Sequence, residues 1–392
     1  MIPVVKSTYI RTPNTCRIAR IPRATGGFSD VQESLASGGQ LPLTLESLHA
    51  HTRSHYADYR LIGGLAKGEG GLRKERIFPS RGLPQPSTIT RIETNGRVIA
   101  VGDVHGDLLQ TWRILTACGV LREGDNGEAV WCGGDTILVQ CGDILDRGDH
   151  EIAIVVLLRE LHHQAVEQGG AVYILNGNHE SLNVCGDFRY VTAGGFVESS
   201  VCAGYDMVDV DGSWEGHLRS RVGLFRPGGP LARELAHNHT VLVINDTVFV
   251  HGGLVPEHVE YGLENLNQDV TDWMLGKLDR TGHLCGLPEL AAGGQTSVMW
   301  NRAYSREYYP SLQDRLRACS LLEDTLKKVG CKRLVVGHTP QTRGINGECG
   351  GKVWRVDTGL SRGVLGGAVE GLEILPPHQQ SGDVAVRIIK EM

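Results

Sequence analysis

Five times between residues 97 and 340, a short apolar run ends in a turn where glycine stands beside Asp, Asn or His. The turns are Gly102-Asp103-Val104-His105-Gly106, Gly142-Asp143-Ile144-Leu145-Asp146-Arg147-Gly148, Asn176-Gly177-Asn178-His179-Glu180, His251-Gly252-Gly253 and Gly337-His338-Thr339. Uninterrupted apolar runs of this length read as strands covered on both faces. Glycine lets the backbone turn tightly and approach a ligand closely. A carboxylate is costly to bury unpaired, and at the end of such a strand its natural partner is a cation. One such turn is ordinary loop chemistry. Five in one chain constrain it to a fold that places all of them after its strands.

The rest of the pattern agrees. Val98–Val101 predicts a strand, and Asp107 opens a helix that ends at Gly119. Ile137–Val139 is a second strand, followed by a helix with Ile154, Leu157, Leu158 and Leu161 at 3–4 spacing. Ala171–Leu175 is a third strand. Thr240–Ile244 and Thr247–Val250, joined at Asn245-Asp246, predict a hairpin. A helix with Cys319, Leu322, Leu326 and Val329 on one face leads through Gly330 to the strand Leu334–Val336. Lys352–Val356 and Val384–Ile389 read as closing strands. The expectation is an α/β domain of layered mixed β-sheets flanked by helices, spanning 91–380, with a Gly-rich insertion at about 181–238 left unassigned.

Residues 1–40 read as a basic leader. Lys6, Arg11, Arg17, Arg20 and Arg23 precede the first carboxylate, Asp30, and no apolar core segment accompanies them. This suits an organelle transit peptide or a basic tail, not a secretory signal. Residues 41–90 read as a linker region with at most one short helix near Leu45–Tyr59. No apolar run approaches the roughly 18 residues of a membrane span. A net charge of −6 leaves no basic stripe for nucleic acid. The ten cysteines form no CxxC pair. Cys118, Cys141, Cys202 and Cys319 read as buried reduced thiols, while Cys185 lies close to the third turn.

Three carboxylate or amide oxygens and three imidazoles suit a pair of borderline transition ions, Mn, Fe or Zn, better than Ca or Mg. His162, His163, His237 and His239 read as helix or loop histidines, not ligands.

At Asp103/His105, Asp143/Asp146/Arg147, Asn178/His179, His251 and His338 the chain resembles the calcineurin-like metallophosphoesterases and, within them, the phosphoprotein phosphatases. Over Gly142–Ile154, Asn176–Val191, Leu224–Leu235, His251–Asn267 and Val335–Ser361 it is similar to the Shewanella-like protein phosphatases of the plant chloroplast type. Val356-Asp357-Thr358-Gly359-Leu360-Ser361 stands where the mainstream Ser/Thr enzymes carry another C-terminal stretch. The resemblance implies a calcineurin-like metallophosphoesterase fold and a metal-dependent phosphoprotein phosphatase. Asp103, His105 and bridging Asp143 would hold one metal; Asp143, Asn178, His251 and His338 would hold the other. A metal-bridging hydroxide would attack phosphorus directly. Arg147 would clamp the phosphate, with Arg302 as a second clamp or a plain surface arginine. Arg189 and Tyr190 are pocket candidates. His179, held by Asp146, would protonate the leaving oxygen.

The expected cofactors are two transition ions, with manganese expected in vitro. The expected partner is a phosphoprotein substrate, with no nucleic acid, no membrane span and the regulatory partner open. A chloroplast address is expected, with cytoplasm or mitochondrion as alternatives. The rival readings are a dinucleoside polyphosphate hydrolase on the same scaffold and a non-catalytic metal-binding scaffold.

Overall fold

Alternate side chains of each central strand enter two different cores. Val98 and Ala100 of one strand pack with Ile137 and Val139 of its neighbour, and with Leu242, Phe249 and Val335 from a facing sheet. Ile99 and Val101 point the other way, toward the helices, as do Leu138, Val248 and Val336. This is why the runs carry no polar alternation: neither face meets water. The computed structural model describes residues 89–125, 127–203, 214–376 and 385–391. The leader at 1–40, the linker up to residue 88 and the short helix at Leu45–Tyr59 lie outside the described residues.

The strands in chain order are β1 (Arg91–Ile92), β2 (Val98–Val101), β3 (Leu121–Glu123), β4 (Ala129–Trp131), β5 (Ile137–Gln140), β6 (Ala171–Ile174), β7 (Val241–Ile244), β8 (Thr247–Val250), β9 (Arg333–Val336), β10 (Asn346–Glu348), β11 (Val353–Arg355), β12 (Glu370–Ile374) and β13 (Val386–Lys390). One sheet runs β13-β12-β2-β5-β6, a second β1-β7-β8-β9-β11-β10, and β3 and β4 form a two-stranded ribbon. β2, β5 and β6 are parallel neighbours, as are β8 and β9. Their carboxyl ends therefore fall along common rims. β7 and β8 form the expected hairpin, with Ile244 paired to Thr247 and Asn245 at φ 52° in the turn.

The helices are α1 (Leu108–Ala117), α2 (Glu151–Glu167), α3 (Asn178–Val184), α4 (Ala193–Cys202), α5 (Trp214–Phe225), α6 (Pro230–Leu235), α7 (Pro256–Tyr261), α8 (Leu263–Met274), α9 (Glu289–Ala292) and α10 (Leu312–Val329). Asp107 caps α1 by accepting from the Gln110 amide, and Ser311 caps α10 by accepting from the Asp314 amide. Gly330 ends α10 in the left-handed conformation. The described part of the unassigned insertion is helical, from α3 through α6. No helix among the described residues is long and apolar enough to cross a membrane.

One thiol assignment needs correction. Cys319 is not a buried reduced cysteine: it is half-buried on α10 and forms a disulfide with Cys349, its Cα 5.3 Å away. The apolar face of α10 is built by Leu322, Leu326 and Val329. Cys319 sits at the edge of that face, where the turn after β10 comes within bonding reach. Cys118 and Cys141 are buried and free, and Cys202 is buried.

Phe249 is fully buried in the layer between the sheets. Phe249→Ala is expected to cost about 3–5 kcal/mol. Urea unfolding should show the midpoint falling with its slope kept.

Candidate active site

Backbone hydrogen bonds join the first turn to the second and the fourth to the fifth. The amides of Val104 and His105 donate to Asp143 O at 3.2 and 3.0 Å, and Gly106 N donates to Ile144 O at 2.7 Å. Gly337 N donates to His251 O at 2.8 Å, joining the turns after β8 and β9. A Cβ on Gly148 would stand 2.4 Å from the carbonyl carbon of Gly106, so that contact requires glycine. Among the described residues, seven non-glycine residues have positive φ; five are His105, Asp143, Asp146, Arg147 and His338. Each costs of order 1–3 kcal/mol and persists only because its surroundings hold it.

Glu180 does much of the holding. It is fully buried, and its carboxylate accepts from the amides of Asp143 (2.9 Å), Ile144 (2.9 Å), Leu145 (3.1 Å) and Gly177 (2.7 Å). Burial, then the Asp143 charge, push its pKa up to about 7. The four donors are the counterweight.

The ligand atoms converge on Asp143. His251 donates from Nδ1 to Cys141 O at 2.8 Å, which turns its Nε2 toward the site. That Nε2 lies 3.0 Å from Asn178 Oδ1, 3.2 Å from His338 Nδ1 and 3.2 Å from Asp143 Oδ2. His105 likewise bonds Leu145 O through Nδ1 at 2.9 Å and turns Nε2 toward Asp143 Oδ2, 3.8 Å away. Two buried sets result, Asp143/His251/His338 and His105/Asp143/His179, each with its ligand atoms within 4.8 Å of one another. Burial pulls the His105 pKa down to about 4 and lowers that of His338 further, so both imidazoles are neutral and present lone pairs. Burial opposes the charge on Asp143, but His251 and His179 outweigh it and keep the carboxylate ionised.

Asp103 completes the acidic side. Its oxygens accept from His338 N at 3.2 and 3.1 Å and meet the buried carboxyl of Asp357. Burial, then Asp357 and Asp143, raise its pKa. His338 Nε2 is buried with no hydrogen-bond partner. Carboxylate and amide oxygens and imidazole lone pairs thus crowd together in a buried space, and cations shared among them satisfy all of them at once. The mixed O/N donor set fits borderline divalent ions.

Beside these donors, Asp146 is fully buried and its Oδ2 lies 2.5 Å from His179 Nδ1. His179 Nε2 points toward Asp143 Oδ2, 4.0 Å away. Burial lowers the pKa of His179, but Asp143 and then Asp146 outweigh it and raise the pKa above the usual imidazole value. The arrangement sets an imidazole whose Nδ1 is held by a carboxylate at the edge of the donor cluster.

Arg147 is half-buried, with its guanidinium 4.9 Å from the Tyr190 ring centre. Tyr190 also packs on His179, centre to centre 5.1 Å. Arg302 is half-buried and within electrostatic reach of Asp143 and Asp103. Arg189 is exposed and paired with Asp187, its guanidinium 5.9 Å from the Tyr190 ring. His239 is buried and hydrogen-bonded to Ile89 O, away from this cluster. The supporting roles of Glu180, Asn183, Asp357 and Arg221 were not read from the sequence. Glu180 and Asn183 flank or follow His179 closely, and the i,i+4 spacing of Asn183 on α3 offered a signal. Arg221 offered none.

Residues 96–363 match the calcineurin-like phosphoesterase family. The chain is 38% identical over 315 residues to Shewanella-like protein phosphatase 2 of Arabidopsis thaliana, covering 73% of this chain and 76% of that protein. It is 30% identical over 274 residues to Shewanella-like protein phosphatase 1 of Plasmodium berghei, covering 69% and 68%. In fold it is similar to the cold-active protein-tyrosine phosphatase of a psychrophilic Shewanella species, with TM-score 0.56, 20% identity and coverage of 84% and 87%.

Glu180→Gln turns one acceptor oxygen into a donor facing backbone N–H groups, at a cost of about 1–3 kcal/mol. Thermal melts should show a lower midpoint for the variant. Added Mn²⁺ should raise that midpoint less than it raises the wild type's.

Proposed function

Because the chain belongs to the Shewanella-like protein phosphatases, within the calcineurin-like phosphoesterases, we propose that this rim is a binuclear metal site that hydrolyses phosphomonoesters on protein side chains. The observation that carries the reading is Asp143 shared between two buried donor sets, one of which includes His179, itself paired with Asp146. Asp103 and His105 with Asp143 would hold one ion; Asp143, Asn178, His251 and His338 would hold the other. The donor chemistry supports manganese, iron or zinc, and manganese is our choice for reconstitution in vitro. Bound there, such ions supply Lewis-acid polarisation of water and of the phosphoryl oxygens.

The chain's own residues supply the rest. Arg147 and Arg302 offer forked donors to the phosphoryl oxygens as charge builds on them. Tyr190 packs against both Arg147 and His179, which limits where either can point. As a water oxygen forms its bond to phosphorus and the ester P–O bond breaks, His179 passes its Nε2 proton to the departing oxygen. Asp146 holds the Nδ1 proton and so fixes which nitrogen faces the substrate. The products are inorganic phosphate and the free side-chain hydroxyl. The leader at 1–40 supports delivery to an organelle, and the chloroplast is the address we propose.

Metal-stripped protein resupplied with Mn²⁺ should release phosphate from phosphotyrosine or phosphothreonine peptides, and Asp143→Asn should abolish that release. Cleavage of a dinucleoside polyphosphate with both peptides untouched would overturn the assignment. For the address, a fluorescent fusion carrying residues 1–40 should enter chloroplasts; a purely cytosolic signal would refute it.

A further inference from the structure

Arg221 is fully buried on α5, at the centre of the helical insertion, and touches no candidate metal ligand. Its guanidinium is surrounded by specific partners, among them Asp146, whose Oδ1 lies 3.7 Å from Nη2. Nη1 donates to Glu151 Oε2 (2.6 Å), Ser199 Oγ (3.1 Å) and Gly195 O (3.2 Å). Nε and Nη2 both donate to Asn183 Oδ1, at 2.9 and 2.7 Å. The rings of Phe225, Phe188 and Phe196 surround it at 4.6, 5.6 and 5.7 Å. A buried cation so completely matched is costly to assemble, and packing alone could be served by an apolar side chain.

The pairs lead in one direction. Two donors on Asn183 Oδ1 dictate the orientation of that amide, so its Nδ2 faces Asp146 Oδ1 at 3.0 Å and His179 O at 2.9 Å. Glu151, held by Arg221, accepts from Asp146 N at 2.5 Å. Asp146 therefore receives Arg221's influence three ways, directly across a buried ion pair of Nη2 with Oδ1 at 3.7 Å, through the Asn183 amide and through its own backbone. Its other carboxylate oxygen meets His179 Nδ1. Asp146 itself has a left-handed backbone, φ 69°, which needs such external support.

We infer that Arg221 is a positioning residue for proton transfer, which fixes the Asn183 amide and the Asp146 backbone so that Asp146 holds His179 in line with the leaving oxygen. The insertion is then a clamp behind the proton donor. With the Arg221 donors gone, the Asn183 amide is free to turn its oxygen toward Asp146, replacing an attraction by a repulsion. This inference rests on the acid role proposed above for His179.

The test compares two substrates on the Mn²⁺-loaded full chain. Phenyl phosphate has a basic leaving oxygen that needs a proton; 2,4-dinitrophenyl phosphate has an acidic one that does not. Arg221→Lys keeps a cation opposite Glu151 but cannot place two donors on Asn183. Its kcat on phenyl phosphate should fall about 10- to 100-fold, part of the 10²–10⁴ that a general acid supplies. Its kcat on the dinitrophenyl ester should fall less than about threefold, with KM and bound Mn²⁺ unchanged. Asn183→Ala, which leaves the Arg221–Glu151 pair intact, should give the same split and serves if Arg221→Lys does not fold. In a His179→Asn background neither change should cost more on phenyl phosphate, because the proton they position is gone. Equal losses on both esters, or additive losses in that background, would overturn the inference and leave Arg221 structural. If His179→Asn itself slows both esters alike, the acid role fails and the inference goes with it.

Discussion

Much of this molecule is organised around one buried carboxylate. Asp143 lies in both donor sets, and its oxygens face His251, His105 and His179 while its amide and the next two are gripped by Glu180. A buried carboxylate among imidazole and amide lone pairs is tolerable only where cations are shared. That requirement explains the fold around it. Parallel strands in two facing sheets bring their carboxyl ends together, so residues as distant as Asp103 and His338 share a hydrogen bond. No single helix or hairpin could gather so many ligands.

The cost of the arrangement appears in the backbone. Five site residues have left-handed φ without being glycine, and the glycines beside them are packed against other backbone. Such strain is stable when the surroundings leave no alternative. Glu180 supplies four acceptor contacts to two of the turns, and the cores on either face of the sheets supply rigidity. Precise placement is what hydrolysis by positioned ions and proton donors demands, since ångström errors in such sites are expensive in rate.

The helical insertion enters the same economy from the other side. α4 and α5 stand behind the His179–Asp146 pair, and Arg221 and Asn183 connect them to it. On the open side, Tyr190 stacks between His179 and Arg147. One insertion thus supports the His179–Asp146 pair, and a segment at its beginning packs on Arg147.

The sequence alone determined what depends on local periodicity and turn chemistry. Strands covered on both faces, the hairpin at Asn245-Asp246, the helix after Asp107 and the six candidate ligands on glycine turns all follow from residues a few positions apart. What it could not determine is which distant side chains meet. Cys319 read as one more apolar thiol because nothing nearby in the chain announces Cys349, 30 residues on. Arg221 lies in a stretch without clear periodicity, 38 residues from Asn183, and Arg362 reaches Asp107 across 255 residues. Asp357 looked like part of a loop until folding set it against Asp103. Local patterns are written in neighbours, whereas a buried polar pair exists only once packing has closed the space around it and left each group no other partner.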